Sequence, residues 1–244
     1  MPTLTIIETG KMPAPIRNDW PDYPGMFEAL LAPHTGDMQF ETIALCEGEA
    51  LPDPQSLDAI LVTGAAAGVY EDHPWMNPLM DFIRWAGAAQ TPQIGICFGH
   101  QAIAQALGGQ VRQSNKGWGI GRHEYTLHTR PGWMNGYAAD TFALGVSHKD
   151  QVEVLPPAAE IIASSAFTPY AALAYPAANA ISFQGHPEFS PGAMKALYSV
   201  RKGTVFPEDM VEAAEQSLAA PIDNDLVGQW MARFLQLAEC APKR

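Results

Sequence analysis

Cys97 sits in a setting suited to covalent chemistry, within Gln93-Ile94-Gly95-Ile96-Cys97-Phe98-Gly99-His100-Gln101. An apolar run ends at the cysteine, and a helical segment opens almost at once with Gln101-Ala102-Ile103-Ala104. Glycines stand two residues before and two after it. A strand that turns abruptly into a helix forces the residue at the bend into a strained backbone, and small neighbours let the two elements close together. The side chain at such an elbow is presented at the top of the sheet. A helix N-terminus and an imidazole neighbour both favour thiolate over thiol. The backbone N–H of Phe98 is placed to donate to a tetrahedral oxyanion; losing one such donor typically slows a reaction about 10²–10³-fold. The chemistry suggested is acyl transfer through a cysteine-bound intermediate. Cys46 and Cys240 lack these surroundings and read as ordinary packing residues.

A thiol nucleophile needs a base, and the base needs a fixed ring orientation. Gln184-Gly185-His186-Pro187-Glu188-Phe189 supplies both. Residues two apart in extended chain point to the same side, so Glu188 can reach the His186 imidazole. Pro187 biases His186 towards extended backbone. Ala180–Phe183 reads as a strand leading into this loop, which suits a site at a strand's end.

The elements that must position these groups follow a β-α-β rhythm. Strands are expected at Leu4–Ile7, Phe40–Cys46, Leu57–Thr63 and Gln93–Cys97, with helices at Gly25–Leu31, Trp75–Gly87 and Gly99–Leu107. This implies an α/β fold with an open, mostly parallel sheet flanked by helices. Right-handed crossovers then gather the loops after the strands along one edge, where such sheets bind ligands. Beyond Val111 the pattern changes. His123–His128 and Ala171–Tyr175 read as strands of a small antiparallel addition, and Asp209–Leu218 and Asp225–Ala238 as helices. No linker or repeat divides the chain, so one domain spanning 1–244 is expected, with a helical extension over about 203–244.

Composition narrows the function classes. The chain has 244 residues and a formal net charge of −12, which disfavours non-specific nucleic-acid binding. Three cysteines with no CxxC pair suit neither a disulfide framework nor a cysteine zinc site, and His123 and His128 lack metal-ligand spacing. No metal or cofactor is expected. MPTLTIIETGK lacks the basic and long apolar regions of a signal peptide, and no apolar run approaches a membrane span. A reducing, cytoplasmic setting is therefore expected. Gly117-Trp118-Gly119-Ile120-Gly121 reads as a turn between strands rather than a nucleotide loop, and no GxSxG or GxxxxGK[ST] occurs. Tyr70 and Trp75 read first as core aromatics and second as pocket walls.

GICFGHQ at 95–101 and QGHPEF at 184–189, with TGAAAGVYEDHPW at 63–75 and SHKDQV at 147–152, make the chain similar to the class I (triad-type) glutamine amidotransferases. Within them it resembles the stand-alone branch related to the glutaminase domain of GMP synthase, with plant γ-glutamyl peptidases as neighbours. The resemblance implies a flavodoxin-like fold and a Cys97-His186-Glu188 triad cleaving the side-chain amide of glutamine or a related γ-glutamyl compound. It implies a second oxyanion donor in the loop at Gly64-Ala65, a substrate contact at Gln101, and a segment holding the amino-acid end of glutamine at Ser147, His148 and Asp150. Ala65 stands where relatives commonly have glycine, as does Lys149 in several. Three readings follow. The chain is a glutaminase that feeds ammonia to a separate synthetase subunit. Alternatively it is a γ-glutamyl peptidase, or a binding protein on a silent scaffold.

Overall fold

The computed structural model describes residues 1–134 and 136–239. In chain order the first half supplies β1 (Thr3–Ile7), α1 (Tyr23–Thr35), β2 (Gln39–Ile43), β3 (Ala59–Val62), α2 (Met76–Ala88), β4 (Gln93–Ile96) and α3 (Phe98–Ala106). Five further strands follow: β5 (Gln110–Gln113), β6 (Gly119–Leu127), β7 (Thr141–His148), β8 (Asp150–Val154) and β9 (Glu160–Ser164). The chain then forms β10 (Ala172–Tyr175), β11 (Ala180–Phe183), α4 (Pro191–Arg201), α5 (Glu208–Ser217) and α6 (Asn224–Glu239).

Nine strands form one sheet in the order β2-β1-β3-β4-β11-β10-β9-β6-β7. The pairings from β2 through β11 are parallel. Those from β11 through β7 are antiparallel. β5 and β8 make a separate antiparallel pair. Every residue of β3, β4, β10 and β11 is buried, as expected for strands covered on both faces. β2 lies at an edge and has only exposed and half-buried positions.

The sheet separates two apolar layers. Phe27 and Leu31 of α1 and Val227, Trp230 and Met231 of α6 pack on one face. Leu79, Phe82 and Ile83 of α2 and Ala102 and Ile103 of α3 pack on the other. Trp230 is 1% exposed and lies edge-on to Trp133, Tyr137 and Phe142. A third cluster joins α4 and α5 to Tyr23 and Phe206. Tyr198 of α4 ties this cluster to the sheet: its hydroxyl accepts from Gly121 N–H at 2.8 Å and donates to the Val146 carbonyl at 2.6 Å.

The parallel half of the fold matches the sequence expectation, with shifted boundaries. The first helix is longer because Asp22 caps it, accepting from Gly25 N–H at 2.9 Å. The second strand stops at Ile43, since Leu45–Glu47 turns and ends at Gly48 with φ +93°. The fourth strand ends at Ile96, one residue before the cysteine.

The antiparallel region departs further. Only the start of the 117–121 segment is a turn; from Gly119 it belongs to β6, where Gly121 (φ +93°) lets α5 approach. A Cβ on Gly121 would lie 2.9 Å from the Ala214 Cα. Strands β5, β7, β8 and β9 and helix α4 were not legible. The two C-terminal helices fall where expected, while Cys240 lies outside the described residues. Among the described residues no helix is long and apolar enough to cross a membrane.

Trp230→Ala is expected to cost about 3–5 kcal/mol in urea unfolding, as truncation of a large aromatic in a packed core does. A loss below about 1 kcal/mol would show that the α6 layer is not integral to the fold.

Candidate active site

Cys97 occupies the junction of β4 and α3 with φ 52° and ψ −100°, a left-handed backbone that non-glycine residues rarely adopt. Its N–H donates to the Phe183 carbonyl at 2.9 Å, and its carbonyl accepts from Gln101 N–H at 3.1 Å. A Cβ on Gly95 would sit 2.5 Å from the Gly99 carbonyl oxygen, and one on Gly99 would collide with the Val62 backbone. Both flanking glycines are thus required by close approach. The Phe98 side chain is buried in the core, but its N–H is in the first helical turn, outside the helix's own hydrogen-bond ladder. The thiol is 5% exposed at the floor of a cavity, rather than open at the surface.

His186 arrives from β11, and its N–H donates to the Gly145 carbonyl of β7 at 2.9 Å. Its Nδ1 lies 2.7 Å from Glu188 Oε1 in a pair whose side chains are 6% and 1% exposed. The ring stacks on Phe189 with centroids 4.6 Å apart and planes 17° apart. It lines the small cavity lobe together with Cys97. With Nδ1 facing Glu188, Nε2 is the nitrogen left for the thiol. Burial works against the imidazolium, but the Glu188 charge, the neighbouring Cys97 and the hydrogen bond to Glu188 outweigh it. The net effect raises the His186 pKa well above its ordinary value, so the ring holds its proton through neutrality.

The loop after β3 closes the other side. A Cβ on Gly64 would lie 3.2 Å from His186 Cε1 and 3.7 Å from Cys97 Cβ. The Gly64 carbonyl lies 3.3 Å from the Thr9 hydroxyl and 3.2 Å from that of Thr63, both buried. In a planar trans peptide the next N–H points opposite to the carbonyl, so that of Ala65 is turned away from the threonines. Gly10 packs behind this peptide, where a Cβ would lie 2.9 Å from the Ala65 Cα. This support and the alanine, which has less backbone freedom than glycine, favour one orientation of the loop.

The cavity has a large lobe of about 320 Å³ and a small one of about 30 Å³. Gln101, Ser147, His148 and Asp150 all line the large lobe with Cys97. Gln101 Nε2 donates to the Asp150 carbonyl at 2.9 Å and to Gln184 Oε1 at 3.2 Å. His148 Nδ1 lies 3.2 Å from the Asp150 carbonyl. Ser147 Oγ and His148 Nε2 are buried without a partner among the described residues, as groups awaiting a ligand would be. Burial raises the Asp150 pKa despite the neighbouring Tyr70 hydroxyl. Burial and Asp150 together push Tyr70 up to about 12. At 55% exposure Tyr70 is a cavity wall, not the core aromatic first expected. Trp75 packs edge-on against Phe98 and stacks on His73.

The fold therefore brings together all ten residues singled out from the sequence. It adds Gln184, whose Nε2 lies 3.7 Å from Cys97 Sγ, and the supports Thr9, Gly10 and Thr63. Gln184 was within a recognised motif, but nothing in its type marked it as a neighbour of the thiol. His123 packs on Phe167 and His148, and His128 Nε2 lies 2.7 Å from Ser164 Oγ. Among the described residues no group of acidic, histidine or cysteine side chains is arranged to hold a metal.

A strained cysteine between a parallel strand and a helix, facing a histidine-carboxylate pair across the strand ends, defines a class of α/β amide-processing proteins. The family model for class-I glutamine amidotransferases matches residues 39–202, and the chain belongs to that family. A glutamine amidotransferase-like protein of Schizosaccharomyces pombe is 31% identical, over 75% of this chain and 74% of its own. γ-Glutamyl peptidase 5 of Arabidopsis thaliana is 26% identical, covering 69% of each. A glutamine-hydrolysing GMP synthase subunit of Sulfolobus acidocaldarius is 27% identical, over 67% of this chain and 85% of its own. The crystal structure of a glutamine amidotransferase from Methylobacillus flagellatus superposes with a TM-score of 0.76 at 22% identity, covering 96% of this chain and 94% of its own. The fold is the flavodoxin-like one of this family.

Glu188→Gln removes the first of the influences that raise the His186 pKa. The ring is expected to lose its proton at a pH lower by about 1–3, followed by NMR of its Cε1 proton. An unchanged titration would mean that Glu188 does not set the charge of the ring.

Proposed function

We propose that this chain hydrolyses the γ-amide bond of glutamine or a close γ-glutamyl relative, with Cys97 as nucleophile, His186 as acid and base, and Glu188 as its orienter. One observation carries the reading: an imidazole held by a buried carboxylate lines the same small lobe as the sulfur of a strained strand-to-helix bend. The Cys97 sulfur attacks the substrate carbonyl carbon, and a C–S bond forms. The oxyanion accepts hydrogen bonds from the backbone N–H groups of Phe98 and Ala65. The C–N bond breaks as protonated His186 gives its proton to the departing nitrogen. Neutral His186 then takes a proton from water, which attacks the thioester. The C–S bond breaks, glutamate leaves, and the thiolate and imidazolium are restored. The scheme uses no metal or cofactor.

Gln101, Ser147, His148 and Asp150 would hold the glutamyl end in the large lobe, alongside Ala65 of the loop, with Gly64 lining the small lobe beside the reacting carbonyl. An Asp150 carboxylate suits an ammonium, and the unpartnered polar atoms of Ser147 and His148 suit a carboxylate. We read residues 1–244 as one amidotransferase unit with helices α5 and α6 as an extension. Likeness to a subunit of a GMP synthase supports delivery of ammonia to a separate synthetase partner. Likeness to a γ-glutamyl peptidase supports a larger amine as an alternative leaving group. A silent binding scaffold is disfavoured by the intact site. A reducing compartment such as the cytoplasm suits a working thiol.

The purified chain is expected to release glutamate from glutamine or a γ-glutamyl amide. Cys97→Ser is expected to lower kcat by about 10³-fold or more with an unchanged circular dichroism spectrum. Full turnover by Cys97→Ser would remove the nucleophile from the account.

A further inference from the structure

Two basic residues that line the cavity have no part in this reading, Lys149 in the large lobe alone and Arg201 in both lobes. Arg201 ends α4, and its backbone carbonyl accepts N–H groups of Val205 at 2.9 Å and Phe206 at 3.0 Å. Its guanidinium carbon lies 6.0 Å from the centre of the Phe206 ring, which is flanked by Trp118 at 5.1 Å and Tyr198 at 6.1 Å. Arg84, Arg122 and Arg130 each meet a carboxylate. Arg201 meets none at ion-pair distance among the described residues, in a chain where 26 acidic residues face 14 basic ones. Its position matters because it lines both lobes of the cavity, as Cys97 and Ser147 do.

The two lobes have different chemistry. Gln101, His148 and Asp150 line only the large lobe, and His186 only the small one. The departing nitrogen must face the imidazole that protonates it, so the amine half of the substrate leaves on the small-lobe side. At about 30 Å³ that lobe has room for roughly one water-sized group. Any larger amine must continue out of it along its wall, which Arg201 forms together with Tyr23 and Leu197. The glutamyl ammonium and carboxylate already have complements in Asp150, Ser147, His148 and Lys149 of the large lobe, which leaves the guanidinium surplus to that half.

We propose that Arg201 binds a carboxylate on the leaving amine, so that the preferred substrates are γ-glutamyl amides of amino acids or short peptides rather than glutamine itself. This rests on the γ-glutamyl hydrolase reading above and narrows it to a substrate class. A planar guanidinium offers two parallel N–H donors to a carboxylate, the geometry that lysine lacks. Arg201 is a specificity residue in this account, with no part in bond making.

γ-Glutamylglycine and γ-glutamylethylamide test it, since they share the bond broken and differ in the carboxylate. The wild-type chain is expected to prefer γ-glutamylglycine. Arg201→Gln is expected to lose about 10–100-fold in kcat/KM on that substrate, mostly through KM, while γ-glutamylethylamide stays within about twofold. Arg201→Lys should recover part of the loss, and it carries the same comparison if the glutamine variant folds poorly. Equal losses on both substrates would place the guanidinium on the glutamyl half and overturn the proposal. No loss on γ-glutamylglycine would overturn it as well, with the hydrolase reading left standing. Failure of the wild-type chain to cleave either substrate, or glutamine, would overturn both.

Discussion

The backbone at Cys97 is where the other features of the site converge. A φ of 52° on a residue with a side chain costs of order 1–3 kcal/mol and persists only where its surroundings enforce it. The enforcement comes from three strands and a helix meeting in a small space. Gly99 lies against the Val62 backbone, Gly95 against Gly99, and the Cys97 N–H is held by Phe183 of β11. Relaxing the bend would require β3, β4 and β11 to separate, and all three are fully buried. The strain is thus sustained by the core, and it sets the thiol at the first turn of α3 beside the imidazole.

The second constraint is electrostatic. An imidazole and a carboxylate buried together are costly to desolvate, and removing one partner of such a pair typically costs about 3–5 kcal/mol. Here the pair is compensated in part, since Glu188 Oε2 is buried without a partner among the described residues. Glu188 Oε1 meets Nδ1 at 2.7 Å, Phe189 covers one ring face, and the Gly145 carbonyl fixes the backbone. Tyr23, at the start of α1, packs on Phe189 with ring centroids 5.6 Å apart. The same contact therefore links the N-terminal helix to the histidine loop. The Gly64-Ala65 loop is fixed by another distant element, since Thr9 and Gly10 follow β1, at the crossing where β1 lies between β2 and β3. Such a switch point is where open α/β sheets bind ligands.

Much of this was legible in the sequence. The cysteine bend and the His-x-Glu pair lie in contiguous motifs, where spacing translates directly into geometry. The parallel strands announced themselves as short apolar runs because both of their faces are buried. β5 was illegible, since Gln110, Arg112 and Gln113 face outward and leave one buried residue to carry the pattern, and in β8 the two buried residues, Gln151 and Val152, are adjacent rather than alternating. β6 was only half read: its opening Gly-Ile-Gly resembles a turn, and only α5 packed above it makes a strand with positive φ at Gly121 acceptable. Tyr70 was misplaced because an aromatic after a buried strand looks like core, and only the folded chain sets it on the open wall of the cavity with Asp150. Arg201 and Thr9 carry no local signal at all. Each reaches the site by tertiary contact from an element far away in the chain.

The cavity that results is acidic at one end and basic along one wall, and the reactive sulfur lies where its two lobes meet. The central claim is that this sulfur becomes covalently joined to a γ-glutamyl group during turnover. Acid-quenched reactions with γ-glutamylglycine, followed by intact-mass and peptide analysis, test it most directly. One γ-glutamyl adduct is expected, located on Cys97 and increased when His186→Ala slows hydrolysis more than acylation. Steady release of glutamate with Cys97 unmodified at every quench time, and with turnover insensitive to its alkylation, would contradict it.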